Sequence, residues 1–254
     1  MKSLLIAHNT FREAMRDRLM AGVLVAGALM MLITQAISPL ALGEARRLTV
    51  DLGLSSISLL GLLVILLVGT SLVAKEIERR TIFNLLSRPI ARGVYLVGKW
   101  AGLSGALWAT TALLTMALCA VLMVRGYGSD VPAVLQAGFF SALELSVVTA
   151  IAVLFSALST PVLSALYTLG VWLVGQWTYD LRGFADRFPA GLKGLIRMVA
   201  DLAPNLPLFN LRTLAAEGRV APALHVLTAV GYAALYVACA LALASAALER
   251  REFK

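Results

Sequence analysis

Few side chains in this sequence could carry out bond chemistry, and their spacing argues against it. His8 and His225 stand near opposite ends of the chain, and Cys119 and Cys239 both fall inside apolar runs. Neither a disulfide framework nor a metal-spaced Cys/His set is expected from that pattern. No His-Glu-x-x-His and no Gly-x-Ser-x-Gly occurs. Gly93-x-x-x-x-Gly98-Lys99-Trp100 falls one residue short of a phosphate-binding loop. Trp100 stands where a Ser or Thr would hold Mg²⁺, and no strand precedes the run. What remains is Glu144, the one ionisable residue set deep in an apolar stretch. A carboxylate there is costly and normally faces a cavity or a partner. Two readings stay open: a transport-path or helix-interface residue, or a protonated carboxyl bonded to a neighbouring helix. Gln35 and Gln176 are weaker candidates of the same kind.

The elements that must position these residues are apolar helices. The 254 residues are 60% hydrophobic and 14% charged, against about 45–50% and about 25% in soluble domains. That is the composition of a polytopic membrane protein, expected to be all-α and to form a single transmembrane domain over 1–254. Six stretches come near the ~20 apolar residues that a bilayer requires: 19–41, 52–74, 101–124, 131–155, 162–179 and 223–248. Residues 1–18 repeat Leu4, Ala7, Phe11, Ala14 and Met15 at helical spacing opposite Arg12, Glu13, Arg16 and Asp17, which predicts an interfacial helix ahead of the first span. Residues 180–222 form a long loop. Within it, 191–202 predicts a second amphipathic helix, from Leu195, Ile196, Val199 and Leu202 set against Lys193, Arg197 and Asp201. Gly98-x-x-x-Gly102 and Gly102-x-x-Gly105 predict a close helix approach, not a ligand contact.

Charge sets the orientation. The net charge of +8 gathers at span ends and not on one nucleic-acid-binding face, so the expected partner is lipid, with no nucleic acid. Six of the 22 Lys and Arg fall in residues 75–100, whereas the short loops on the other side hold only Arg46, Arg47 and Arg125. The positive-inside rule then places both termini in the cytoplasm of a multi-pass cell-membrane protein.

Residues 75–100 are too rich in charge for a simple connector. As a helix, 76–86 puts Ile77, Thr81, Ile82, Leu85 and Leu86 on one side and Glu76, Arg79, Arg80 and Asn84 on the other, with Phe83 among the charges. Glu76 and Arg80 have the favourable order for a helical ion pair. Arg88-Pro89 ends the helix, and Gly93 is read as a joint. A large apolar group ringed by charge suits an anchor for a soluble partner.

The run Glu76-x-x-x-x-Thr81, Leu85-Leu86-Ser87-x-Pro89, Arg92, Tyr95 and Gly98-Lys99 resembles the cytoplasmic loop of ABC type-2 permeases. It departs in having Arg80 where many members carry Gly. Leu202-Ala203-Pro204-Asn205 with Phe209-Asn210 is similar to what precedes their last span. The resemblance implies six spans with a coupling helix between the second and third, docked through Glu76, Arg79, Arg80, Phe83 and Arg88 onto a separate ABC ATPase subunit. It implies that this chain has no cofactor and no nucleotide site of its own, ATP and Mg being bound by the partner. It further implies a second permease copy, as homodimer or heterodimer, and an exporter. The alternative is a non-transporting scaffold or force-transmitting subunit acting on an extracytoplasmic partner.

Overall fold

The structure, a computed structural model, describes residues 2–37, 44–72, 92–185 and 190–250. Among these residues the chain is helical apart from turns and short irregular stretches such as 203–205 and 217–222. α1 (Lys2–Arg16) and α2 (Arg18–Ile37) meet at Asp17, whose carboxylate accepts from the Leu19 N–H at 3.0 Å. α3 (Ala45–Val64) runs on into a π-helical segment, Ile65–Gly69. α4 (Arg92–Val124) and α5 (Val131–Leu158) follow, then α6 (Pro161–Gln176), α7 (Thr178–Ala185), α8 (Ala190–Leu202), the five-residue α9 (Arg212–Ala216) and α10 (Ala223–Arg250).

Among the described residues, five helical stretches are long and apolar enough to cross a membrane: Arg18–Ile37, Ala45–Gly69, Arg92–Val124, Gly128–Leu158 and Ala223–Glu249. The stretch expected as the fifth span, 162–179, is instead the 16-residue α6 followed by a break at Trp177 (φ −105°, ψ 12°). Sixteen residues reach about 24 Å at 1.5 Å each, short of the ~30 Å hydrocarbon core. The break lies beside a close packing contact. A Cβ on Gly175 would stand 2.9 Å from the Pro204 carbonyl oxygen, and the Thr178 hydroxyl turns back to the Gly175 carbonyl at 3.2 Å.

α5 is the hub, the most deeply buried of the apolar helices, and α3, α4, α6 and α10 all pack on it. α2 lies outside, on α3 and α4. The turn into α5 is a Schellman closure of α4. Gly126 has φ +82°, Tyr127 N–H reaches the Leu122 carbonyl at 2.8 Å, and Gly126 N–H reaches that of Met123 at 3.1 Å.

Two boundaries differ from the sequence reading. Arg46, Arg47 and Asp51, expected in a loop, lie in the first turns of α3. Residues 92–100, expected in the connector with Gly93 as a joint, are the first turns of the 33-residue α4. The glycines there serve packing. A Cβ on Gly102 would sit 2.6 Å from the Ala7 carbonyl oxygen, and one on Gly98 would sit 2.8 Å from the Ile6 side chain. α1 therefore lies in a groove along α4, with Phe11 over Gly105.

Candidate functional site

The polar interior is built around one turn of α5, which carries Ser141 and Glu144. Glu144 is 3% exposed. Its Oε1 accepts from Gln176 Nε2 at 2.6 Å and from Trp172 Nε1 at 3.3 Å. Those two donors are four residues apart, one above the other on α6. One turn earlier on α5, the Ser141 hydroxyl lies 3.4 Å from that of Ser58 on α3. Three residues before Ser58, the Ser55 hydroxyl accepts from Arg212 Nη1 at 3.2 Å. Arg212 opens α9, and its positive charge acts on Glu144. α5, α6, α3 and the 180–222 segment are thus linked around Glu144 and Ser141.

The sequence candidates divide accordingly. Glu144 and Gln176 are brought into direct contact. Gln35 is elsewhere, on α2, where both polar atoms of its side-chain amide are buried without a hydrogen-bond partner among the described residues, while its backbone carbonyl accepts from Arg125 at 3.1 Å. Glu76, Arg79, Arg80, Phe83 and Arg88 lie outside the described residues. Ser55, Ser58 and Arg212 belong to the site without having been singled out from sequence. The only signal was Ser55-x-x-Ser58, two hydroxyls one turn apart in an apolar run.

The run that precedes the last helix holds this site in place. Pro204 lies against Gly175, next to Gln176. Asn205 donates its N–H to the Tyr232 hydroxyl at 2.8 Å and accepts from the Thr178 hydroxyl at 3.3 Å. The His225 ring stacks on Phe140, with centroids 5.6 Å apart, and its Nε2 lies 3.2 Å from the Leu208 carbonyl oxygen. The segment is also latched at its far end. Gln136 exchanges two hydrogen bonds with the Ala221 backbone, at 3.1 and 2.7 Å. Arg46 pairs with Asp130 at 3.0 Å. Asp130 is 1% exposed and sits so close to Gly218 (φ +72°) that a Cβ there would stand 2.7 Å from its Oδ1.

What this arrangement offers is a buried carboxyl held by hydrogen bonds, with a positive charge nearby. Among the described residues no group of His, Cys, Asp and Glu could hold a metal ion. The near-match to a phosphate loop, residues 93–100, is helix, so its backbone N–H groups do not form a cradle. Lys99 is buried, its Nζ 5.9 Å from the Tyr95 ring centre.

No curated protein matches the chain. The family model described as ABC-2 family transporter protein matches residues 4–252. That match takes in the five apolar helices, the Glu144 site and the run that frames it. The chain belongs to the ABC-2 transporter family, and is a multi-pass membrane permease of that family.

Proposed function

We propose that this chain is the permease subunit of an exporter-type ABC transporter, in which ATP hydrolysis by a separate subunit drives substrate across the membrane. The observation that carries the reading is the family match over residues 4–252. ABC-2 permeases have no nucleotide-binding domain of their own and associate with an ABC ATPase. On this reading α6 is a short fifth crossing, completed by the turn into α7, which makes six spans. Both termini and residues 75–100 then lie in the cytoplasm, on the side rich in Lys and Arg. Residues 75–100 carry the coupling helix, with Phe83 as the anchor and Glu76, Arg79, Arg80 and Arg88 around it. ATP and Mg bind the partner, and two permease copies enclose the path. α1 and α8 lie along the two membrane surfaces, α1 with Ile6 and Phe11 against α4 and α8 with its apolar face toward lipid. Glu144, with Gln176, faces the path, and its donors hold the carboxyl where a polar group of the substrate passes.

The test is co-expression with a candidate ABC ATPase subunit, followed by purification in lipid nanodiscs and measurement of ATP hydrolysis. The two should copurify, and Phe83→Ala should weaken that association by about 2 kcal/mol, roughly thirtyfold, without loss of membrane insertion. A Phe83→Ala chain that binds the ATPase as tightly as the wild type would reduce the 76–86 helix to a connector. Thiol labelling of residues near Gly191 and Lys254 should come from opposite faces of the membrane. Labelling of both from one face overturns the six-span topology.

A further inference from the structure

We propose that the groove between α4 and α10 is a binding site for one phospholipid, with an acyl chain lying along it and the phosphate at its Arg92 end. The groove measures about 970 Å³, at the upper end of the ~300–1,000 Å³ usual for ligand sites. On the α10 side its wall is Ala234, Ala238 and Ala242, one exposed methyl group per turn. On the α4 side stand Trp100 and Trp108, both fixed by their hydrogen bonds to Ser146 on the floor. Among the described residues no charged side chain lines the groove. Charge is found at one end, where the two helices meet. A Cβ on Gly93 would stand 3.3 Å from the Ser245 hydroxyl oxygen, and the Arg92 guanidinium donates to the Leu248 carbonyl.

The dimensions select the occupant. Gly93 to Trp108 on α4 and Val230 to Ser245 on α10 each run fifteen residue steps along the groove, about 22 Å at 1.5 Å per residue. A bilayer is ~40–45 Å thick through its headgroups, so one leaflet is about 20–22 Å. α4 has 33 residues and is about 50 Å long, enough to cross both headgroup layers. That leaves Arg92, its first residue, in one of those layers and Trp108 near the midplane. The groove is therefore one leaflet deep, with positive charge at the level of the phosphate and apolar walls at the level of the tail. A further helix, about 10–12 Å across with its side chains, does not reach the floor between two helices that touch. A single file of methylene groups does. Lipid is as apolar as these walls, so burial alone holds nothing here. The chain is held by dispersion contacts on three sides, and the head by the guanidinium.

The test weighs the permease by native mass spectrometry after it has been washed in detergent until bulk lipid is gone. One phospholipid per permease copy should remain. Ala238→Phe puts a ring into the groove from an exposed position and should remove that lipid. Leu235→Phe, at a site 70% exposed on the same helix but outside the groove, should leave it. Should Ala238→Phe not fold, Ala234→Phe fills the groove one turn away. Arg92→Gln should lower the retained fraction about fivefold, the weight of one cation near a membrane surface, and Arg92→Lys should restore most of it. A washed wild-type chain without lipid overturns the site, as does an Ala238→Phe chain that keeps as much as the wild type, or equal loss in Leu235→Phe. Equal retention in Arg92→Gln overturns the placement of the phosphate. The other occupant to be tested is a second copy of the chain. With Cys119 and Cys239 replaced by Ala, Ala238→Cys would then cross-link between copies, and that result would displace the lipid. The measurement needs no ATPase, so the coupling reading can fail without altering its outcome.

Discussion

Two residues apart on α5, Glu144 and Ser146 face opposite sides of the hub, and each is met by indole N–H groups. Trp172 and Gln176 from α6 serve Glu144. Trp108 donates to the Ser146 hydroxyl at 2.7 Å, and Trp100 donates to the Ser146 carbonyl at 3.0 Å. The Ser146 side is self-sufficient, since its hydroxyl also donates to the Ala142 carbonyl at 2.8 Å within α5. Beside it runs an open apolar groove of about 970 Å³ between α4 and α10. The Glu144 side depends on a second helix, α6, for both its donors, with the Arg212 charge of α9 nearby. Packing polarity alone accounts for Ser146. A carboxyl buried inside a membrane is costly, and that cost is what motivates the role proposed for Glu144.

Glu144→Ala should separate the two sides most sharply. It leaves the Gln176 amide and the Trp172 N–H buried with no acceptor, at a cost of about 3 kcal/mol, read as a lowered unfolding midpoint in detergent micelles. Glu144→Gln keeps an oxygen for both donors. It should stay within about 1 kcal/mol of the wild type while ATP-driven turnover of the assembled complex falls. Normal turnover in Glu144→Gln would erase the functional difference between the two faces.

Arg212→Met comes next. It cuts the tie from α9 to Ser55 and removes the positive charge acting on Glu144, with an expected loss of about 1–2 kcal/mol. The second readout is protease sensitivity of the 180–222 segment, which should rise. A segment as resistant as before would mean that the Gln136 and Asp130 latches hold it without Arg212.

Trp108→Phe should be the mildest. It deletes one interhelical bond worth about 0.6 kcal/mol on the average for membrane proteins and keeps the edge-on packing against Phe139 at 5.6 Å. A Trp108→Phe penalty as large as that of Glu144→Ala would show that the two faces are equivalent after all.

The sequence was most informative where a local pattern decides the outcome. Glycines at 98, 102 and 105 announced a close helix approach, and the docked helix proved to be α1. Leu195 to Leu202 announced an amphipathic helix, and α8 has the expected bounds to within a residue at its start. The turn after Val124 was legible from Arg125, Gly126 and Asp130. What stayed hidden depends on distant partners. The break in the 162–179 stretch lies where Pro204, nearly thirty residues later, comes close to Gly175. Asp130 reads as a turn residue until Arg46 is found beside it. Arg212 reads as an ordinary loop cation, since nothing near it in sequence points to Ser55. The π-turn has no signature at all: Ile65 to Gly69 is as apolar as any helix interior.

The groove that receives α1 has a consequence for how the protein is made. α1 emerges from the ribosome well before α4, yet the surface that it fits belongs to residues 98–105 of α4. At about 5–20 residues per second, roughly 5–20 s separate the two. Throughout that interval the N-terminal helix has no protein to rest on. Its apolar side, with Phe11 and Ile6, must be sheltered by lipid or by the insertion machinery until α4 arrives. Filling the groove, as in Gly102→Ala, would prolong that wait indefinitely, leaving a chain whose membrane helices are in place and whose first helix is still undocked.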